Sequence, residues 1–281
     1  MASHAQSLTP PIKPAAAAPD ALTVAAIAIV AYALASVLHE GVGHGGACVM
    51  TGGHPLVLST VHFECDKDNR IIDAGGTVVN LVAGFIFLML SRLVSRSAHL
   101  RYFLWLLMTI NLLQGGGYFL FSGFGNIGDW AAVIQGLRPA WLWRVLLIVV
   151  GTTSYYLFVW IAAREMRVFL GGPGASRMQV ARRLTLIPYF TGGILSCVAG
   201  ALNPVGMILV AISAAAASFG GTSGLVWMSQ LVRRENAVST TDAPLPVLTR
   251  SRGWIAAAVI VGALFIGFLG PALFFGNRAG H

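Results

Sequence analysis

The chain has 281 residues, 56% of them hydrophobic and 10% charged, with a mean hydropathy of +0.76. A soluble domain carries about 25% charged residues, so this composition excludes a water-soluble globule and defines an integral, multi-pass membrane protein. The net charge of +8 would suit nucleic acid, but the arginines cluster between apolar segments, as in cytoplasmic membrane loops, and no nucleic-acid partner is expected.

Residues 1–20, with Pro10, Pro11, Pro14 and a run of alanines, read as a disordered polar tail without a secretory signal. Apolar windows of about 20 residues, the length that spans a bilayer, follow at 21–43, 75–93, 102–122, 141–162, 184–202, 204–220 and 254–275. The fold class is therefore all-α, a bundle of six or seven transmembrane helices, the count turning on the Asn203-Pro204 break. Residues 222–235 suit a short interfacial helix or an extension of the sixth, and 236–252 a loop. No internal repeat is visible.

Lysine and arginine in the connections set the orientation. Arg92, Arg96 and Arg101 flank the second connection, Arg164, Arg167, Arg177, Arg182 and Arg183 the fourth, and Arg233, Arg234, Arg250 and Arg252 the sixth. The first, third and fifth hold only Lys67, Arg70 and Arg138. This alternation places the N-terminus inside and the first connection outside, in what is expected to be a bacterial inner membrane. Cys48 and Cys65 share that first connection, where a disulfide or two free thiols are equally open readings; Cys197 reads as a small buried residue.

The chemistry-bearing segment is His39-Glu40-Gly41-Val42-Gly43-His44, at the end of the apolar run from Ala21 to Leu38. Ionisable groups in a membrane segment are costly and mark function. Two imidazoles with an adjacent carboxylate form the residue set of a zinc hydrolase helix, in which histidines hold the metal and glutamate works on its water. The usual spacing of four puts both histidines about 40° apart around the axis, whereas a spacing of five separates them by about 140°. A π-type turn, eased by Gly41 and Gly43, would return His39 and His44 to one face. Alternatively Glu40 and His44, four apart, face the metal together.

With these residues the chain resembles the site-2 protease-like membrane metallopeptidases. The likeness rests on the His-Glu and Gly-His pairs, Gly45-Gly46-Ala47, Thr51-Gly52-Gly53, and Ala74-Gly75-Gly76-Thr77-Val78-Val79-Asn80 opening the second core helix. It covers residues 30–135 and divides the chain into the tail (1–20), a three-helix metallopeptidase-like core (21–135) and additional transmembrane helices (136–281). The resemblance implies that His39, His44 and Asp129 bind Zn2+, that Glu40 is the general base, and that Asn80 holds the substrate strand or the catalytic loop.

Two features depart from the family pattern. One is the extra residue between the histidines. The other is the third ligand: Asn111-Leu112-Leu113-Gln114-Gly115-Gly116-Gly117 starts like the family motif, but the first acidic residue afterwards is Asp129, which also suits the N-cap of a helix over 130–137. Asp73 and Glu64 are the other acidic candidates, and His54 and His62 further histidines within reach. Asn111 and Gln114 read as interhelical hydrogen-bonding amides.

The expected function is a zinc-dependent intramembrane hydrolase cleaving peptide bonds of membrane proteins, with the lipid bilayer and a membrane-embedded substrate as partners. The same residues leave open a lipid amide or ester hydrolase, or a non-catalytic membrane chaperone or regulator that keeps the fold.

Overall fold

The computed structural model describes residues 18–94, 96–170, 174–204, 213–233 and 247–275. Helix α1 (Ala21–Val37) starts where Asp20 accepts hydrogen bonds from the Thr23 backbone N–H (2.9 Å) and hydroxyl (2.8 Å). It runs without interruption through a π-helical segment, Leu38–Gly45, into the short α2 (Gly46–Met50). Strands β1 (Pro55–Leu58) and β2 (Phe63–Cys65) follow. Helix α3 (Arg70–Leu93) begins under an Asn69 cap, and α4 (Ala98–Gly125) ends where Asn126 turns left-handed at φ 54°. After Gly128, at φ 85°, comes α5 (Asp129–Val133).

The rest of the chain adds α6 (Ala140–Met166), α7 (Gly174–Gly200), a π-turn at Ala216–Gly220 and α8 (Gly224–Arg233). It closes with α9 (Arg252–Leu264), a second π-turn (Phe265–Leu269) and β3 (Leu273–Phe274).

Among the described residues, five helices are long and apolar enough to cross a membrane: Ala21–Met50, Arg70–Leu93, Ala98–Gly125, Ala140–Phe169 and Arg252–Leu269. The expected fifth span (184–202) falls in α7 up to its end at Gly200, where Thr185, Pro188, Tyr189 and Gly192-Gly193 dilute its apolar content. Residues 205–212 of the expected sixth span (204–220), the tail to residue 17 and residues 236–246 of the expected 236–252 loop lie outside the described residues.

Helix α4 is the axis of the bundle. Trp105, Leu106, Leu107, Met108, Ile110, Leu112 and Leu113 are all buried, the all-round apolar surface of a helix enclosed by others. Two of its polar side chains bond across helices: Trp105 Nε1 donates to the Ala162 carbonyl (2.9 Å) and the Tyr102 hydroxyl to that of Leu184 (2.8 Å). The same core continues through α1, α6, α7, α8 and Phe265, so the described residues of these later elements pack into one body with the first three long helices.

The all-α expectation needs one amendment. The connection between α2 and α3 is part of a three-stranded antiparallel sheet, ordered β2-β1-β3, with Leu58 opposite both Phe63 and Leu273. Strands of two to four residues leave no alternating pattern to read. The third lies inside the apolar run 254–275, where Gly270-Pro271 ends the helix early.

Candidate metal centre

The five-residue spacing is resolved by backbone geometry. Throughout Leu38–Gly45 the helix takes the wider π form, so His39 and His44 lie on one face with their Nε2 atoms 3.3 Å apart. The glycines serve this arrangement differently from expectation. A Cβ on Gly41 would meet only ordinary contacts, so that position does not require glycine for space. Gly43 does: its Cβ would fall 2.5 Å from the Gly76 Cα, because α3 crosses the π segment backbone against backbone at Gly75 and Gly76. A Cβ on Gly76 would lie 2.5 Å from His39 Cε1 and 2.5 Å from His44 Nε2. The two imidazoles thus rest on bare α3 backbone.

Asp129 arrives from the loop after α4. It is the first residue of α5 rather than its cap; Gly128 occupies the cap position, without a side-chain bond. The carboxylate is free to turn inward, where Oδ2 lies 3.4 Å from His39 Nε2, 3.6 Å from His44 Nε2 and accepts from the Thr77 hydroxyl at 3.3 Å. Burial alone would raise the Asp129 pKa, but the two imidazoles, His39 foremost, outweigh it and hold the group well below the usual carboxylate range.

The three separations discriminate between uses of this cluster. Direct ion pairing would draw nitrogen and oxygen to about 2.7–2.9 Å, closer than either imidazole comes to Asp129. In a tetrahedron the edge is about 1.63 times the centre-to-corner distance, so zinc ligands bound at about 2.0–2.2 Å lie about 3.3–3.6 Å from one another. The observed edges of 3.3, 3.4 and 3.6 Å match that range. Two imidazole nitrogens and a carboxylate oxygen are also a donor set that zinc accepts, with a fourth corner left over.

The surroundings orient the rings. His44 Nδ1 is 2.7 Å from the Ile72 carbonyl, which can only accept, so Nδ1 carries a proton and, in the neutral ring, Nε2 keeps its lone pair. His39 stacks on Tyr118 (centroids 4.6 Å, planes 14° apart), and His44 lies parallel to Phe63 at 6.4 Å. The Cys48–Cys65 disulfide ties the end of the histidine helix to β2. A cavity of about 1140 Å³ opens beside the cluster, bordered by Glu40, His44, Asp129, Tyr118, Phe121 and Tyr155 among others. Glu40 thus faces the cavity next to the imidazoles.

Other candidates lie elsewhere. His54 pairs with Asp66 (3.0 Å) toward solvent, and His62 with Glu64 (2.9 Å) on the border of the cavity, outside the His39–His44–Asp129 cluster. Asp73 borders the cavity without belonging to the His39–His44–Asp129 cluster. Asn80 is fully buried, 3.2 Å from His39 Nδ1, and does not border the cavity. Asn111 donates to the Leu107 carbonyl of its own helix (2.8 Å), while Gln114 reaches across to Ala217 at 3.5 Å. Tyr118, Thr77 and Phe63 were not anticipated as neighbours of the cluster; single aromatic or hydroxyl residues in apolar segments carry no spacing signal.

Set against protein-family models, curated proteins and solved structures, the chain matches none.

Proposed function

We propose that this chain is a zinc-dependent hydrolase of the lipid bilayer, of the site-2 protease type, cleaving peptide bonds of membrane proteins. The observation supporting this most directly is that the π segment brings His39 Nε2, His44 Nε2 and Asp129 Oδ2 to the mutual separations of tetrahedral ligands. Zinc held by these three residues would supply a bound water of near-neutral pKa and polarise a carbonyl. Glu40, at the cavity edge, takes the proton of the attacking water and returns it to the leaving nitrogen. The five long apolar helices support a membrane location, and peptide rather than lipid bonds are proposed from the resemblance around His39, His44 and Asn80.

The test is metal analysis of detergent-purified protein together with hydrolysis of a transmembrane peptide. About one zinc per chain is expected, lost in His44→Ala and retained in an inactive Glu40→Gln. Loss of metal in Glu40→Gln as complete as in His44→Ala would make Glu40 a ligand. Absence of zinc from the wild-type protein would remove the hydrolase reading.

A further inference from the structure

Asn80 presents an unresolved conflict in its hydrogen bonding. Its side chain is fully buried on α3, with Nδ2 3.2 Å from His39 Nδ1 and Oδ1 without a partner. With the amide nitrogen toward the ring, His39 Nδ1 must accept, and the neutral imidazole then carries its proton on Nε2. That proton would point at the space between His44 and Asp129, where a cation belongs. An amide turned by 180° has the same shape and presents Oδ1 instead.

We infer that Asn80 turns its side-chain oxygen to His39, accepts the Nδ1–H, and so fixes the tautomer that leaves Nε2 free for a cation. The arrangement repeats what the Ile72 carbonyl does for His44 at 2.7 Å. Both imidazoles then donate from Nδ1 to an acceptor on α3 and direct lone pairs to a common point, the outer-sphere support metal-binding histidines ordinarily receive. Asn80 is thereby a positioning residue of the histidine pair, out of contact with the cavity. The role in metal binding rests on the reading of His39 as a ligand; the polarity of the hydrogen bond does not.

Two arms separate these points. In metal-free protein labelled with 15N-histidine, the His39 ring should resonate as the Nδ1–H tautomer in wild type and lose that preference in Asn80→Leu. An Nε2–H tautomer in wild type overturns the inference whatever the protein does with zinc. The second arm is zinc affinity by competition with a chromophoric chelator. Asn80→Leu, close in size and unable to accept, should bind about 10–100-fold more weakly. Asn80→Asp, which can only accept, should bind at least as tightly as wild type. Equal losses in Asp and Leu variants that keep their helical circular dichroism would overturn the inference. Wild-type protein with the Nδ1–H tautomer but no zinc binding would leave the hydrogen bond standing and refute the metal centre.

Discussion

Replacing Gly76 by alanine tests the candidate centre through a residue with no functional group of its own. The added Cβ would lie 2.5 Å from His39 Cε1, 2.5 Å from His44 Nε2 and 2.6 Å from His39 Nε2. Ordinary contact begins near 3.4 Å, so the rings must retreat by about 0.9 Å, against a tolerance of about 0.2 Å in metal–ligand distance. The rings have little room to retreat, since Tyr118 backs one and Phe63 flanks the other. Zinc affinity should therefore fall by more than the 10–100-fold typical of outer-sphere changes, about 1000-fold or beyond. Overpacking should also cost the metal-free protein about 1–3 kcal/mol. Gly46→Ala is the control: no atom lies within 4 Å of its Cβ, so it should keep zinc and gain about 0.5–1 kcal/mol from helix propensity. Chelator competition and thermal unfolding in detergent measure both quantities. A Gly76→Ala protein that binds zinc as tightly as wild type would refute the placement of the imidazoles against α3.

Sidedness and loop stability give two further predictions. With Cys48, Cys65 and Cys197 replaced by alanine, an Asp68→Cys reporter on the exposed first connection should react with a membrane-impermeant thiol reagent in intact cells; reaction only after lysis would reverse the topology drawn from the arginines. Asp66 accepts from the His54 backbone N–H (2.7 Å) and ring, which hold its pKa below the ordinary carboxylate value. Its fastening of the 51–69 connection is thus present above about pH 4 and lost as pH falls through the lowered value. Amide exchange at His54 should rise selectively at low pH in wild type but not in Asp66→Asn.

The histidine helix was legible because its anomaly was arithmetic: a spacing of five has one compact helical solution, and Leu38–Gly45 adopts it. The reason for the glycines was not. Gly41 and Gly43 suggest backbone freedom, whereas Gly43 answers to Gly75 and Gly76 on another helix, a demand that no local pattern records. Asp129 stood out as the first acid after α4, yet a sequence cannot say that Gly128 would take the cap position and leave the carboxylate to turn inward. Asn80 appeared as a polar break in an apolar helix; its partner, 41 residues away, appears only when α3 crosses the π segment. The sheet was least visible. Its strands are brief, and one borrows the tail of an apparent transmembrane span.

That last strand gives the molecule a timetable. The histidines and Asp129 are synthesised well before Leu273 and Phe274, with which β1 acquires its second neighbour. The Phe275 N–H to Leu56 carbonyl bond (2.9 Å) and the Thr60 N–H to Leu269 carbonyl bond (3.2 Å) belong to the same late closure. At about 5–20 residues per second, roughly 7–30 s separate Asp129 from Phe274. During that interval β2, which carries Phe63 beside His44, hangs on a two-stranded ribbon, a form marginally stable at best. The strand that carries the cavity-lining Phe63, Glu64 and Cys65 therefore belongs to a sheet whose third member is made long after the histidines and Asp129 that share the cavity's border.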